Sequence, residues 1–314
     1  MRVRKAAILV FILLIIMLLA PARYFDSVKG GILLFTASVL PSMLPYFFFT
    51  KIFTSVGGAE SISTTVGRPI SRAYGVSPIC GYAFVMSLLS GYPVGARVLA
   101  DLYEKGCVDR EDVLRATSFS STSGSMFVLG SVGAQILGSV NAGWVILVCH
   151  YLSAILNGLV FCARKRGSNG TLAPLLPRSS ADDLLSEAMY ESVLSLALVG
   201  GFIAVANLLS DMTSDVIGFF GINVLSETSV VSGLFFSFFE VTRGCVVFSK
   251  CALSLCWVAA LSAAAVSFGG LSVVFQTVAF VGKAGVSPGK ILLRKMTQAM
   301  IAFLLCLGIG ALIL

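Results

Sequence analysis

The chain has 314 residues, of which 57% are hydrophobic and only 12% are charged, and its mean hydropathy is +0.96. Soluble globular domains carry about 25% charged residues, so this composition excludes a soluble protein, a disordered chain and a collagen-like chain. The net charge of +7 is explained by basic loops beside a membrane and does not indicate nucleic-acid binding. The sequence therefore predicts a multi-pass protein of the cell membrane, in contact with lipid.

Uncharged apolar runs mark the crossings, because a helix needs about 20 mostly apolar residues to span the hydrocarbon. These runs do not alternate as the strands of a membrane barrel do, so we predict an all-α polytopic fold. Seven full spans are expected, with the long run Ala116 to Ala163 divided at a turn-rich cluster after Leu137. They are Ala6–Ala22, Gly30–Thr50, Ala116–Leu137, Gly143–Ala163, Ser192–Ser210, a helix ending near Gly282, and Met296–Leu314.

The N-terminal run follows a basic leader, Met1 to Lys5, and ends in Ala20-Pro21-Ala22, as in a signal peptide with a cleavage box. Its apolar core is long and a proline disfavours cleavage, so we interpret residues 1–29 as a signal anchor. The positive-inside rule places the N-terminus in the cytoplasm. The same rule places further basic residues inside, namely Arg68, Arg72, Arg164, Lys165, Arg166, Lys283, Lys290, Arg294 and Lys295, and the acidic loop Asp211 to Glu227 outside.

Two segments are left over, Ala73 to about Tyr103 and Thr228 to about Trp257, each broken by a polar kink. We interpret both as re-entrant helical hairpins, which a membrane protein tolerates where their backbone is buried or lines a wet cavity. The alternative is that each is an ordinary pair of short spans.

The two halves of the chain match weakly at a shift of 149 positions, which relates Gly95 to Gly244, Ser118 to Ser267, Ser123 to Ser272 and Gly133 to Gly282. With three crossings in each half, the repeats would be inverted, a pattern typical of secondary transporters with a site at the midplane. Coincidence among Gly and Ser is the alternative. The predicted organisation is an anchor over 1–29, a first repeat over 30–163, a cytoplasmic linker over 164–183 and a second, inverted repeat over 184–314.

The first kink is Ser90-Gly91-Tyr92-Pro93-Val94-Gly95-Ala96-Arg97, where proline and glycine free backbone groups to meet a ligand. Its partner is the hydroxyl cluster Thr117 to Gly124. An alternative role for that cluster is a helix interface held by small polar residues.

The second kink, Phe239 to Gly244, contains Glu240 and Arg243, and ionisable residues inside a membrane are functional by default. Glu240 is predicted to bind a cation, a proton or a solute donor, and Arg243 to face an anion. The alternative is that the two pair as helical neighbours. The break Ser267 to Ser272, followed by Gln276, is expected opposite the first hydroxyl cluster.

The eight cysteines are interpreted as small core residues, and no metal site is predicted because His150, the only histidine, has no ligand partners at suitable spacing. No nucleophile motif matches His150 either, so we do not expect an enzyme.

The two kinks and the hydroxyl cluster resemble the YlbJ type of sporulation integral membrane protein, in the nucleoside-recognition (Gate) superfamily, over about Gly30 to Leu314. The pattern is also similar to concentrative nucleoside transporters, whose hairpin tips and interrupted helices hold nucleoside and sodium. The resemblance implies movement of dipicolinic acid, and Arg97 and Arg243 suit a dicarboxylate. The first tip lacks the acidic or amide residue by which nucleoside carriers hold their substrate.

We therefore predict a secondary transporter of a small polar or anionic solute, without a cofactor and with coupling to Na⁺ or H⁺ left open. The alternatives are a nucleoside transporter and a non-transporting membrane scaffold or sensor, and formation of a homo-oligomer is also left open. The predicted solute-binding residues are Ser90, Tyr92, Pro93, Arg97, Ser118, Ser120, Ser121, Thr122, Glu240, Thr242, Arg243, Ser267, Gly269, Ser272 and Gln276.

Overall fold

A computed structural model describes residues 2–162, 183–221, 226 and 228–314. Every regular element in these residues is helical, so the predicted all-α polytopic fold is confirmed. The predicted linker over 164–183, with its basic triplet, lies outside the described residues except for Asp183.

The N-terminal part is a series of helices that leads to the first kinked segment. Proline stands at the first position of the second helix, where its missing N–H costs nothing. A π-helical stretch, Phe35–Val39, joins the second and third helices into one continuous rod. The helices are α1 (Arg2–Leu19), α2 (Pro21–Leu34), α3 (Leu40–Ser55), α4 (Gly58–Thr65) and α5 (Gly67–Tyr74).

The first kinked segment is a helical hairpin, and an interrupted helix follows it. The hairpin arms contact each other, and the interrupted helix has no regular structure over Ser121 to Gly124 before it continues as a π-helix, Phe127–Ile136. The helices here are α6 (Cys80–Ser90), α7 (Val94–Glu104), α8 (Arg110–Ala116) and α9 (Val140–Phe161).

A single long helix, α10 (Leu184–Phe219), precedes the second kinked segment. It extends beyond the predicted span Ser192–Ser210 at both ends, so the first residues of the predicted loop Asp211 to Glu227 are helical. The apolar pattern locates the membrane-crossing part of a helix, whereas backbone hydrogen bonding continues into the polar turns that flank it.

The second half repeats the order of the first, with a hairpin, an interrupted helix and a long helix. The interrupted helix breaks at Gly269 and Gly270, which have φ angles of 78° and 75°. A short 3₁₀ turn, Gly282–Ala284, precedes the last helix. The helices are α11 (Val230–Phe239), α12 (Val241–Ser249), α13 (Leu255–Phe268), α14 (Gly270–Val281) and α15 (Pro288–Ile313).

Five helical segments in the described part of the chain are long and apolar enough to cross a membrane: Pro21–Ser55, Val140–Phe161, Leu184–Phe219, Leu255–Ala284 and Pro288–Ile313. The multi-pass membrane localisation is thereby supported. The first predicted span and Ala116–Leu137 correspond to the shorter apolar helices Ala7–Leu19 and Phe127–Ile136. The count of seven spans, their orientation and the repeat boundaries stay predictions.

The centre of the molecule is formed by α9, α13 and α15, which pack against one another. Small buried residues such as Ala259, Ala263 and Ala302 allow these helices to approach closely. Seven of the eight cysteines are buried and Cys256 is partly buried, and none of the eight forms a disulfide. They pack as small apolar residues, as predicted.

Candidate functional site

Each hairpin tip packs against a glycine in the break of the helix that follows it. A Cβ atom on Gly124 would lie 3.0 Å from the main-chain oxygen of Ser90, and one on Gly270 would lie 2.7 Å from that of Phe239. Phe239 lies 149 positions after Ser90, the shift that relates the two halves. The two hairpins therefore meet the two breaks through similar backbone contacts, which glycine permits, although the two glycines are 146 positions apart.

The first hairpin tip contacts α3 and the residues beside the second helix break. Tyr92 and Pro93 are joined by a cis peptide bond. The hydroxyl of Ser90 bonds with that of Thr50 on α3, and the buried Tyr92 donates a hydrogen bond to the main-chain oxygen of Val266 at 3.4 Å. Tyr92 thus links the tip of the first half to the helix break of the second half.

The second tip is built around Glu240, which is 1% exposed. One carboxylate oxygen accepts a hydrogen bond from the main-chain nitrogen of Arg243 at 2.8 Å, and the other accepts one from the hydroxyl of Thr242 at 3.1 Å. Glu240 is therefore the N-cap of α12, where a negative charge also interacts favourably with the helix dipole. It contacts Arg243 through that residue's backbone and not through its side chain.

The guanidinium of Arg243 turns away from the tip and towards α10. It forms an ion pair with Asp211 at 2.7 Å and donates hydrogen bonds to Asn207 and Ser210, both at 2.8 Å. The ring of Phe236 covers its other face, 3.8 Å from the guanidinium carbon. The donors of Arg243 are thus directed to the protein itself.

Arg97, in the first hairpin, has surroundings like those of Arg243, but at the other end of α10. Its guanidinium forms an ion pair with Glu191 and a hydrogen bond with Ser195. Lys51 approaches the same carboxylate of Glu191 at 3.4 Å. The structure therefore places both arginines that were predicted to bind an anion beside carboxylates of α10, and their predicted role in solute binding stays a prediction.

The hydroxyls of the first break divide into two groups. Ser118 bonds to the main-chain oxygen of Arg115 on its own helix, and Thr122 donates to Ser87 in the first hairpin at 3.0 Å. Ser120 and Ser121 are buried, and their hydroxyls have no hydrogen-bond partner among the described residues. The second group offers hydroxyls that a ligand can use.

The second break contributes Ser267, Gly269, Ser272 and Gln276. The side-chain nitrogen of Gln276 donates to the hydroxyl of Ser272 at 3.1 Å. The side-chain oxygen of Gln276 is buried and has no partner within the part of the chain that is described. This break therefore also presents an unsatisfied polar atom.

Two residues that the sequence did not predict, His150 and Lys295, connect the breaks at the centre. The Nε2 atom of His150 accepts a hydrogen bond from the main-chain nitrogen of Ser123 at 2.8 Å, and Nδ1 lies 2.7 Å from the hydroxyl of Ser267. Because Nε2 accepts, the proton of a neutral imidazole resides on Nδ1. His150 thus bridges the two breaks as a neutral side chain.

Lys295 on α15 makes a second bridge. Its Nζ atom donates to the main-chain oxygen of Ser121, lies 3.5 Å from that of Ser267, and lies 5.2 Å from the ring centre of Tyr92. The side chain is buried, with 2% exposure of the residue. The positive-inside rule places Lys295 with the cytoplasmic basic residues because it precedes the apolar run, but the helix α15 begins before it. Pro288, a residue type favoured in the first turn of a helix, is the feature of the sequence that indicates this earlier start.

Two cavities that contain charged side chains lie at opposite ends of α10. One, of about 350 Å³, is lined by residues of α3, the first hairpin and α10, including Lys51, Arg97 and Glu191. The other, of about 670 Å³, is lined by residues of α2, α10 and α12, including Asp211 and Arg243. Each cavity thus lies beside one hairpin.

In sequence, the chain is similar to the sporulation integral membrane protein YlbJ of Bacillus subtilis (strain 168). The two are 26% identical over 288 residues, which cover 82% of this chain and 70% of YlbJ. The resemblance to the YlbJ type is thereby confirmed. No family model matches the chain.

In structure, the chain is similar to the concentrative nucleoside transporter CNTnw in an outward-facing state. The TM-score is 0.50 with 15% identity, and the match covers 98% of this chain and 85% of CNTnw. A second CNTnw structure, in the intermediate 3 state, matches with a TM-score of 0.48 and 14% identity over 92% of this chain and 79% of CNTnw. The likeness at this identity concerns the fold, which is the fold expected from the hairpins and interrupted helices.

Proposed function

We propose that this protein is a secondary transporter that moves a small polar or anionic solute by alternating access. The observation that carries the proposal is the meeting of both hairpin tips with both helix breaks around one buried polar centre. Tyr92, His150 and Lys295 join the two halves at this centre. Backbone that leaves regular helix inside a membrane protein is typical of solute and ion sites.

Unsatisfied polar atoms support a binding role for this centre. The hydroxyls of Ser120 and Ser121 and the side-chain oxygen of Gln276 are buried without partners among the described residues. A buried polar group without a hydrogen bond costs about 1–3 kcal/mol. A polar solute that bonds to these atoms offsets that cost, so the centre favours a ligand with several hydrogen-bonding groups.

The position of the two cavities supports movement of the bound solute. They contact α10 near Glu191 and near Asp211, and these residues lie 20 positions apart. That separation corresponds to about 30 Å along a helix, which is the thickness of the hydrocarbon. The two cavities thus lie on opposite sides of the protein along the axis of α10, and alternating access requires an approach to the centre from each of these sides.

Glu240 is the residue proposed to couple transport to Na⁺ or H⁺. It is a buried carboxylate at a hairpin tip, and Gly270 of the second break lies against its main chain. Protonation of Glu240, or release of a cation from it, changes the cap of α12 and with it the contact between tip and break. The coupling thus has a local physical route to the hairpin.

The substrate class follows in part from the resemblance and in part from the site. Dipicolinate is the anion that the resemblance implies, and uridine is a suitable neutral comparison. The matched relative is described only as a sporulation membrane protein, so its name specifies no solute. One anionic probe and one neutral probe are therefore used, so that the charge preference of the centre is tested.

The test is uptake by purified protein in liposomes, with labelled dipicolinate or uridine and with imposed Na⁺ or pH gradients. We expect saturable accumulation of at least one solute that depends on one of the gradients, and loss of the gradient dependence in Glu240→Gln. Saturable binding in detergent without any movement of bound solute would overturn the transporter proposal and favour a scaffold or sensor.

A further inference from the structure

We propose that Lys295 supplies the positive charge that selects an anionic solute, because its ammonium lies where the two helix breaks and the first hairpin tip meet. The inference rests on the proposed function and adds the residue that would set its preference for a small carboxylate or other oxyanion. Lys295 acts as a specificity-determining residue in contact with the solute.

The first support is that Lys295 is buried without a compensating carboxylate. Its exposure is 2%, and no Asp or Glu oxygen of the described chain lies within 4.0 Å of its Nζ atom. A charge inside a membrane protein is costly unless it is paired, and such residues mark solute pathways. Two main-chain oxygens solvate the ammonium but do not neutralise it.

The second support is that the other cations near the hairpins are occupied. Arg97 and Arg243 form ion pairs with Glu191 and Asp211. Arg294, the neighbour of Lys295, turns towards the hydroxyl of Thr117 at 2.7 Å and the ring of Phe161. Among these four cations, Lys295 is the one that reaches both breaks.

The third support is that hydrogen-bond donors stand beside the charge. Lys295 bonds to the main-chain oxygen of Ser121, whose own hydroxyl is buried and unpartnered, as is the hydroxyl of Ser120. An oxyanion that approaches the ammonium can accept from these hydroxyls as well. Hydrogen bonds between charged groups and such donors are stronger than bonds between neutral groups.

The fourth support is the position of Tyr92, whose ring centre lies 5.2 Å from Nζ. The ring belongs to the hairpin tip and faces the ammonium, an arrangement that stabilises the cation. A movement of the tip thus changes the surroundings of the charge. Release of an anion and movement of the first hairpin are linked through this contact.

The experiment compares solute binding by wild type, Lys295→Met and Lys295→Gln in detergent, by calorimetry, with dipicolinate, succinate, inorganic phosphate and uridine as probes. Lys290→Met is the matched control, because Lys290 is an exposed lysine on the same helix. We expect wild type and Lys290→Met to bind at least one of the three anions. Loss of the charge is expected to weaken anion binding about 10- to 100-fold, while any uridine binding changes less.

Two results would overturn the inference. In the first, wild type binds uridine but none of the three anions. This result leaves the transporter proposal intact. The other is equal anion affinity in wild type and both Lys295 variants. Uptake by wild type in liposomes is measured separately, so failure of transport and failure of anion selection are distinguished. If the neutral variants do not fold, Lys295→Arg provides the test, because it retains the charge and should keep the preference for anions.

Discussion

Glu191 and Asp211 lie on one helix, and each forms an ion pair with an arginine of a different hairpin. Glu191 holds Arg97 behind the first tip, and Asp211 holds Arg243 behind the second. The helix α10 is thus attached to both hairpins at points about 30 Å apart along its axis. A rigid helix with two such attachments relates the positions of the two tips to each other.

These ion pairs predict that each hairpin can be loosened separately. Glu191→Gln should increase amide hydrogen exchange in α7, and Asp211→Asn should increase it in α12. Each pair is partly exposed, so the expected loss of stability is about 1 kcal/mol or less. Exchange measured by mass spectrometry checks this expectation, and each variant serves as the control for the other. Identical exchange in α7 and α12 in both variants would show that α10 does not hold the hairpins individually.

The N-cap role of Glu240 predicts different results for two substitutions. Glu240→Ala removes the acceptors for the Arg243 nitrogen and the Thr242 hydroxyl, and loss of an N-cap typically costs about 1 kcal/mol. Glu240→Gln retains an oxygen acceptor and should remain closer to wild type in thermal unfolding. Both variants should lose coupled uptake, because both lack the charge. Normal gradient-driven uptake by Glu240→Gln would remove Glu240 from the coupling mechanism.

The close contact at the second break predicts a large effect for one added methyl group. In Gly270→Ala, the new Cβ atom would lie 2.7 Å from the main-chain oxygen of Phe239, at a residue with a φ of 75°. We expect destabilisation of more than about 1 kcal/mol and loss of uptake. Gly201→Ala on α10 is the control, since a Cβ there meets nothing within 4 Å, and it should be neutral or stabilising. Thermal unfolding in detergent compares the two.

The bridge made by His150 predicts that its removal separates the breaks. His150→Ala leaves the main-chain nitrogen of Ser123 and the hydroxyl of Ser267 without their partner. Two buried groups without partners cost about 1–3 kcal/mol each, so we expect a lower unfolding temperature and weaker solute binding. Ser153→Ala is the control on the same helix, because its hydroxyl bonds only within α9. Equal unfolding temperatures for the two variants would contradict the bridging role.

The sequence was informative where a feature is local. Long apolar runs predicted the membrane helices, and Gly and Pro at Gly91 and Pro93 predicted the first kink, because these residues act on their own backbone. The kink at Glu240 was likewise visible as a charge inside an apolar run. The resemblance carried by these segments was confirmed by the similarity to YlbJ.

The sequence was uninformative where two distant segments meet. Nothing near Arg97 or Arg243 indicates that Glu191 and Asp211 face them, since the pairs are 94 and 32 positions apart. Lys295 stands among basic residues that the positive-inside rule predicts to be cytoplasmic, and its burial depends on where α15 begins. The residues around His150 in sequence do not indicate its partners, which come from the two helix breaks. Such contacts arise from packing, which a single sequence does not specify.

Solute counterflow tests the central claim most directly, because it detects a carrier whatever ion it is coupled to. Liposomes that contain the protein are loaded with unlabelled dipicolinate or uridine and diluted into a trace of the same labelled solute. The account predicts a transient accumulation of label above its outside concentration for at least one solute, and a reduced accumulation in Gly270→Ala. Label that only equilibrates, as in liposomes without protein, for both solutes would contradict it.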